Sequence, residues 1–536
     1  MEYASLRGYI SILPAEKPYT NNYVVNQLKA ILSCENLKDG EAEVYAQALE
    51  RLRPSEKPEW YEFGGYTSQF DVENEFPVFF KINSELAERI NCNSPQLSSE
   101  FWFGLNFGGN IKENFSYLFD FSFAIEKLAI AAFAPNSFYK NWDGFQFVIN
   151  DYYLYESVAE ETAIAIRMLP ELVYSIYDDR YSVKFSRSRR EWGYGSGSLW
   201  LSNNGGPFVA LETKINPLPW LKTNFLFGSL EYENNASLKN VSNSFQNLYT
   251  IMSGEVNFNY FYAGILGSSV IVKRFEFGYL HPFQFPFMTQ NNYGDFDNVQ
   301  LGIYFGSVIP GIMQIYFNIF SDEMSFTEHF FHADRNMFCY NVGVKAPLPF
   351  FVSTLTAQYT KIEPYMYSHP LTQTPWYSQK MDSSYINHGD CLGSYLSPNS
   401  DEILVKLESF PMWFLKVDFA YSMVRHGTVS GSGAVDGSSI TDAIDYSDFS
   451  AFQYVNSGDL YWKDFLHDGV YEWIHSVTLG TTLDCRKWNV PIAVYCAYTF
   501  SYTQHSYGDT TSFYFINNSE YYDEVGNYLT LSVKIY

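Results

Sequence analysis

Between residues 187 and 206 the chain reads RSRREWGYGSGSLWLSNNGG. Arg187, Arg189 and Arg190 stand almost side by side, Trp192, Tyr194 and Trp200 follow, and Asn203 and Asn204 close the run. Flat apolar rings can stack on pyranose faces, while guanidinium forks and amides donate to hydroxyls and uronic carboxylates, so the set could bind an acidic sugar. A plainer chemistry is open to the same residues: arginines at a rim can pair with carboxylates or with lipid phosphates. Gly193, Gly195 and Gly197 could suggest a phosphate cradle, but no helical pattern follows and no Lys–Ser/Thr pair is present. Glycine at alternate positions better suits a tight hairpin whose backbone approaches a neighbour closely.

Other chemistry finds little support. His329 and His332 in HFFH lack the glutamate of the HExxH zinc motif, and Cys34, Cys92, Cys339, Cys391, Cys485 and Cys496 are scattered without metal-ligand spacing. We therefore expect no metal and no cofactor. Serine and aspartate are so common that no nucleophilic triad can be singled out, although a hydrolase centre around His388 is conceivable. The expectation is a non-enzymatic protein with no catalytic residues. The Asn-x-Ser sites at Asn114, Asn235, Asn240 and Asn517 carry no meaning without a glycosylating compartment.

The totals bound the partners. Of 536 residues, 34 are Lys or Arg and 59 are Asp or Glu, a net charge of −25, which repels a phosphate backbone and argues against a nucleic-acid partner. Phe, Trp and Tyr make up 19% of the chain, yet apolar runs such as LAIAAFA (128–134) are too short for a membrane helix. Transmembrane β-barrels need such aromatics, because both interfaces carry aromatic girdles.

Two kinds of element can position the candidate residues. In the first 75 residues, 21–34 and 39–54 carry helical periodicity, with Val44, Ala48, Leu49 and Leu52 on one face, Asp39 as a possible cap and Pro54 as the stop. From about residue 99 the period changes to two. Phe115, Tyr117, Phe119, Phe121, Phe123 and Ile125 alternate with Ser116, Leu118, Asp120, Ser122 and Ala124. The same alternation appears in 255–262, 412–421, 477–485, 492–502 and 528–535. A soluble sandwich also alternates. However, these apolar faces run for about ten residues, are aromatic at their ends and oppose Asp, Lys and Asn at mid-strand, as a tilted strand beside a watery lumen requires. We expect an all-β protein: a closed antiparallel transmembrane β-barrel of about eighteen strands (76–536) with a short N-terminal helical periplasmic segment (1–75).

Short turns are expected at 409–411 and 486–491, and long polar exterior loops at 363–401 and 426–472. If 181–186 is a strand with Tyr181, Val183 and Phe185 facing lipid, then Lys184, Ser186, Ser188 and Arg190 face the lumen. Arg187 and Arg189, in the lipid-facing phase, must then lie beyond the hydrocarbon or past a bulge. The terminal Tyr536 suits a barrel-assembly signal, although it is out of phase with Leu529, Leu531, Val533 and Ile535.

Several blocks together resemble a known family. RREWGYGSGSLWLSNNGGPF (189–208), LHPFQFPF (280–287), FDNVQLGIYFGSVIPGIMQIYFNIFSDEM (296–324) and SSYINHGDCLGSYLSPNSDEILVKL (383–407) are similar, in this order, to stretches of Wzi-type capsule assembly proteins. The family's usual Trp-Trp-Gly-Pro reads Glu191-Trp192-Gly193-Tyr194 here. The resemblance implies an outer-membrane barrel that binds and attaches a surface polysaccharide, with helices on its periplasmic side. Its ligand-binding residues would be Arg189, Arg190, Trp192, Tyr194, Trp200, Asn203, Asn204, Tyr385 and His388. Further partners would be outer-membrane lipid and lipopolysaccharide, and the barrel-assembly machinery during biogenesis. Export would require a cleavable signal upstream of Met1. The alternative is a porin-like diffusion or substrate-specific channel, with Lys184, Lys416, Asp120 and Asp418 lining an open lumen.

Overall fold

The computed structural model describes residues 1–52, 78–93, 96–111, 114–127, 162–177, 180–231, 246–294, 296–322, 337–369, 372–376, 380–387, 390–427, 437–440, 465–466, 471–512 and 515–536. Eighteen antiparallel strands form a closed barrel. The first six are β1 (Val78–Asn91), β2 (Gln96–Ile111), β3 (Phe115–Lys127), β4 (Thr162–Ile176), β5 (Tyr181–Ser188) and β6 (Phe208–Leu218). Next come β7 (Leu221–Ser229), β8 (Leu248–Asn257), β9 (Phe261–Ile271), β10 (Asn298–Ile309), β11 (Met313–Ser321) and β12 (Phe338–Pro347). The last are β13 (Val352–Ile362), β14 (Ser400–Met412), β15 (Leu415–Gly427), β16 (Tyr471–Asp484), β17 (Ile492–Ser512) and β18 (Phe515–Ile535). The ring closes where β18 pairs with β1, Ile535 opposite Ser84 and Tyr528 opposite Asn91. Closure leaves no strand edge unpaired.

The period-two reading holds along the wall. On β3, Phe119 and Ile125 point outward and are exposed, while Asp120 and Ser122 point inward. Leu415, Val417, Phe419 and Tyr421 alternate on β15 with the inward pair Lys416 and Asp418, 2.9 Å apart. The outward face is aromatic near the short-turn end, where Trp220 stacks on Phe258 and Phe414 meets Trp488. Strands are short around β7–β13 and longest at β17 and β18, which run for 21 residues each.

Turn positions depart from expectation. Residues 255–262 are not one strand: β8 ends at Asn257, Phe258–Tyr260 turn, and Tyr262 on β9 is fully buried in the lumen. Nor does the chain turn at 409–411, which lies within β14; the turn is Trp413–Phe414. In both places interfacial aromatics occupy the turn, so no glycine or proline marks it. The 486–491 turn is as expected, a short helical turn over Cys485–Trp488 followed by Asn489 at φ 60°.

Three helices gather at the short-turn end: α1 (Glu2–Arg7), α2 (Asn21–Leu32) and α3 (Asp39–Leu52). The Thr20 hydroxyl caps α2 by accepting from Tyr23 N at 3.3 Å. Val44, Ala48 and Leu49 of α3 pack with Tyr3, Leu28 and Ile31 against Val352 and Phe410 of the barrel, whereas Leu52 is exposed. Arg51 reaches Asp484 at 2.7 Å, and Gly311 N donates to Leu6 O at 2.8 Å, so the helices are tied to the short turns. The boundary expected at residues 75 and 76, and Pro54, lie outside the described residues.

Candidate functional site

After Ser188 the chain does not continue past the rim but turns into the lumen, because the Arg190 side chain is pulled inward. Its guanidinium is fully buried, donates to Glu212 at 2.8 Å and to the carbonyls of Ser188 (2.7 Å) and Phe208 (2.8 Å), and stacks 4.5 Å from the Phe208 ring centre. Glu191 and Trp192 then pair with Lys17 and Glu16, a strand of the N-terminal segment entering from the opposite end. Trp192 N donates to Leu201 O at 2.7 Å and closes the hairpin.

The hairpin tip reaches the lower lumen wall. The Tyr194 hydroxyl donates to Glu255 at 2.9 Å and its ring stacks on Tyr262 at 3.9 Å. Gln358 holds both backbone groups of Ser196, at 2.9 and 3.0 Å. Lys345 joins Gly195 O to Glu2 of α1. Gly193, Gly195 and Gly197 have φ of +142°, +118° and +81°. A Cβ on Gly195 would lie 2.8 Å from Gln358 Oε1, so these glycines serve close approach to the wall. Trp200 is buried against Tyr304 and Phe320.

The described residues of 363–399 form a second inward segment that packs on the first. This differs from the polar exterior loop expected there: Tyr365, Met366, Tyr367, Tyr385, Leu392 and Leu396 are all buried. The Tyr385 hydroxyl meets Trp200 O at 2.5 Å, Tyr367 donates to Leu199 O at 2.7 Å, and Asn204 Nδ2 donates to Cys391 O at 3.1 Å. Each large aromatic buried this way contributes about 2–3 kcal/mol of transfer free energy. Together with the N-terminal segment, these two segments fill the barrel interior from β6 to β13.

The structure thus brings most of the predicted residues together, but faces them toward one another. Arg190, Trp192, Tyr194, Trp200, Asn204 and Tyr385 are interior groups. Trp192 Nε1, without a partner among the described residues, belongs to a residue bordering a cavity of about 60 Å³ lined also by Tyr19, Tyr23, Lys184 and Lys214. Of the described candidates only Asn203 is exposed; Arg189 is half-buried, its Nη1 donates to Asn203 O at 2.6 Å, and its buried Nη2 has no hydrogen-bond partner among the described residues. Burial first, then the charge of Arg167, lowers the Arg189 pKa to about 10, an environment that favours an anion beside it. Arg187 keeps the outward phase and is clamped by Glu231 through two 2.6 Å bonds. His388, His329 and His332 lie outside the described residues.

The expected lumen charges do point inward, each with an opposite charge. Lys184 lies 3.5 Å from Glu212, Asp120 lies 3.4 Å from Arg167, and Lys416 reaches Glu408 and Asp418. Sequence reasoning did not single out Arg167, Glu212, Glu255, Gln358 or Lys345, because lumen residues that grip a plug look like any inward polar residue of a strand. Among the described residues no group of three or more His, Cys, Asp or Glu is placed to hold a metal.

No protein-family description matches the chain, and no curated protein matches it in sequence. Its fold is similar to that of a solved outer-membrane barrel. Wzi of Escherichia coli, an outer-membrane protein involved in group 1 capsule assembly and a carbohydrate-binding β-barrel, superposes with a TM-score of 0.55 at 12% identity over 99% of this chain and 96% of that one. OprD of Pseudomonas aeruginosa gives 0.41 at 9% identity over 88% and 98%. OccK2 from the same organism, in complex with glucuronate, gives 0.41 at 8% identity over 89% and 99%.

Proposed function

We propose that this barrel sits in the outer membrane and binds a surface polysaccharide of the capsule or exopolysaccharide class without transforming it. The observation that carries the reading is the packed part of the lumen, from β6 to β13. The 189–207 hairpin, the 363–399 segment and the N-terminal segment interlock through buried hydrogen bonds, which suits a holding surface better than a diffusion path. The Wzi-like fold and the arginine at the lip of the plug agree with it. In this reading Arg189, with Asn203 beside it and Arg167 and Asp390 within electrostatic reach, takes an acidic sugar at the mouth. The buried Arg190, Trp192, Tyr194, Trp200, Asn204 and Tyr385 hold the platform in place. Outer-membrane lipid and lipopolysaccharide surround the outward band, and the barrel-assembly machinery inserts the chain.

Pull-down of the purified protein on uronate-containing surface polysaccharide tests this. Arg189→Ala should weaken binding by roughly 10- to 100-fold, the loss of a charge-assisted contact of about 1.5–3 kcal/mol, with the barrel still folded. Binding equal in wild type and Arg189→Ala with Asn203→Ala would remove the site from this lip.

A further inference from the structure

The connection between β9 and β10 does something a barrel loop rarely needs to do: it folds down over the outside of the wall. On β9, Tyr262, Leu266, Ser268 and Val270 face the lumen core, so Gly267 and Ser269 face out, in phase with the exposed Ile265. A Cβ on Gly267 would lie 2.9 Å from the Phe285 ring. Thr250, opposite Ser269 and therefore also outward, lies 3.4 Å from Tyr279 O. Phe225 and Met252, outward partners on β7 and β8, are buried as well. The cover is the short helical turn Phe277–Leu280 and the helix α4 (Pro286–Tyr293).

This flap is firmly hinged. Asp297 accepts two bonds from Arg274 at 2.5 and 2.6 Å, one from Tyr279 at 2.7 Å and one from Val272 N at 3.0 Å, while Gln290 donates to Asp297 O at 2.9 Å. With its inner face so held, the flap turns Phe275, Phe277, Phe283, Phe287 and Met288 outward, Phe277 at 78% exposure. From Phe275 to Tyr293 the sequence carries one charged residue, Glu276, in a chain of net charge −25. A loop built for water would not shed its charges while exposing this much aromatic surface.

We propose that the flap is a lipid-binding surface whose outward aromatics insert among the acyl chains of the leaflet at the long-loop end. The occupant follows from continuity: the flap lies on the same face as the exposed Ile265 and Ile303, directly above them on β9 and β10. It replaces outward Thr250 and Ser269, which would meet hydrocarbon, with phenylalanine. The inference rests on the barrel being membrane-inserted.

The test places single tryptophan reporters in full-length protein reconstituted in phosphatidylcholine vesicles brominated at shallow or deep acyl positions. The wild-type tryptophan emission is subtracted. Phe277→Trp and Phe287→Trp should be quenched as strongly as an Ile303→Trp control in the lipid band, and more by shallow than by deep bromine. Quenching by aqueous iodide but not by bromolipid, with the control still quenched, overturns the proposal. So does protection from both quenchers with Phe277→Cys cross-linking two copies, which would make the flap a dimer contact. An unquenched Ile303→Trp control overturns membrane insertion itself and the flap proposal with it.

Discussion

Arg190→Ala separates an arginine that anchors a plug from one that contacts sugar. The guanidinium is fully buried, paired with Glu212 at 2.8 Å, and satisfies two strand carbonyls at 2.7 and 2.8 Å. Removing one member of a buried pair costs about 3–5 kcal/mol, because the remaining charge is left in a poor environment. Lys184 stays 3.5 Å from Glu212 and softens that cost, while the lost stacking on Phe208 adds about 1 kcal/mol. The hairpin should therefore open more easily by about 3 kcal/mol, roughly two orders of magnitude in its opening equilibrium. Native-state hydrogen exchange reads this directly at Trp192 N, bonded to Leu201 O, and Gly193 N, bonded to Ala15 O. Protection should fall about 100-fold at both amides and stay unchanged in strands such as β17, distant from the hairpin. Equal protection in wild type and variant would refute the anchoring role.

Three further outcomes are expected. Gly195→Ala forces a side chain onto φ +118° and to within 2.8 Å of Gln358 Oε1, and should cost about 1–3 kcal/mol of hairpin stability in the same exchange measurement. Tyr385→Phe removes the hydroxyl shared by Tyr249 and Trp200 O; it should lower the thermal midpoint while leaving polysaccharide binding intact. Burial first, then the charge of Glu255, pushes Glu16 up to about 7. The folded state then holds a proton that the unfolded chain releases at lower pH, so the N-terminal segment should be best protected below the ordinary carboxylate range. That protection should weaken as pH rises through about 7, and in Glu16→Gln it should not vary with pH.

The wall of this barrel was legible in the sequence because a strand has a period of two and the wall separates two unlike solvents. Phe119 outward and Asp120 inward follow from alternation alone. The helices were legible for the corresponding reason at period 3.6. The direction of the 189–207 hairpin was not, because a run rich in Arg, Trp and Gly suits an exposed sugar platform and a buried plug equally well. What decides between them is Glu212, 22 residues on, and Gln358, 162 residues from Ser196, and no local pattern announces either partner. The flap over β9 was hidden similarly: nothing within LHPFQFPF tells which side of the wall it covers, and the outward parity of Gly267 against Phe285 decides it. Aromatic turns such as Trp413–Phe414 escaped because interfacial residues stood where turn residues usually do.

In its proposed function this barrel holds a polysaccharide rather than conducts. Planar-bilayer recording of the purified wild-type protein is its most direct test. With the hairpin, the 363–399 segment and the N-terminal segment packed across its interior from β6 to β13, the barrel should show no steady ionic current at modest voltage. Large, continuously open channels in the wild type would contradict the account and restore the porin reading.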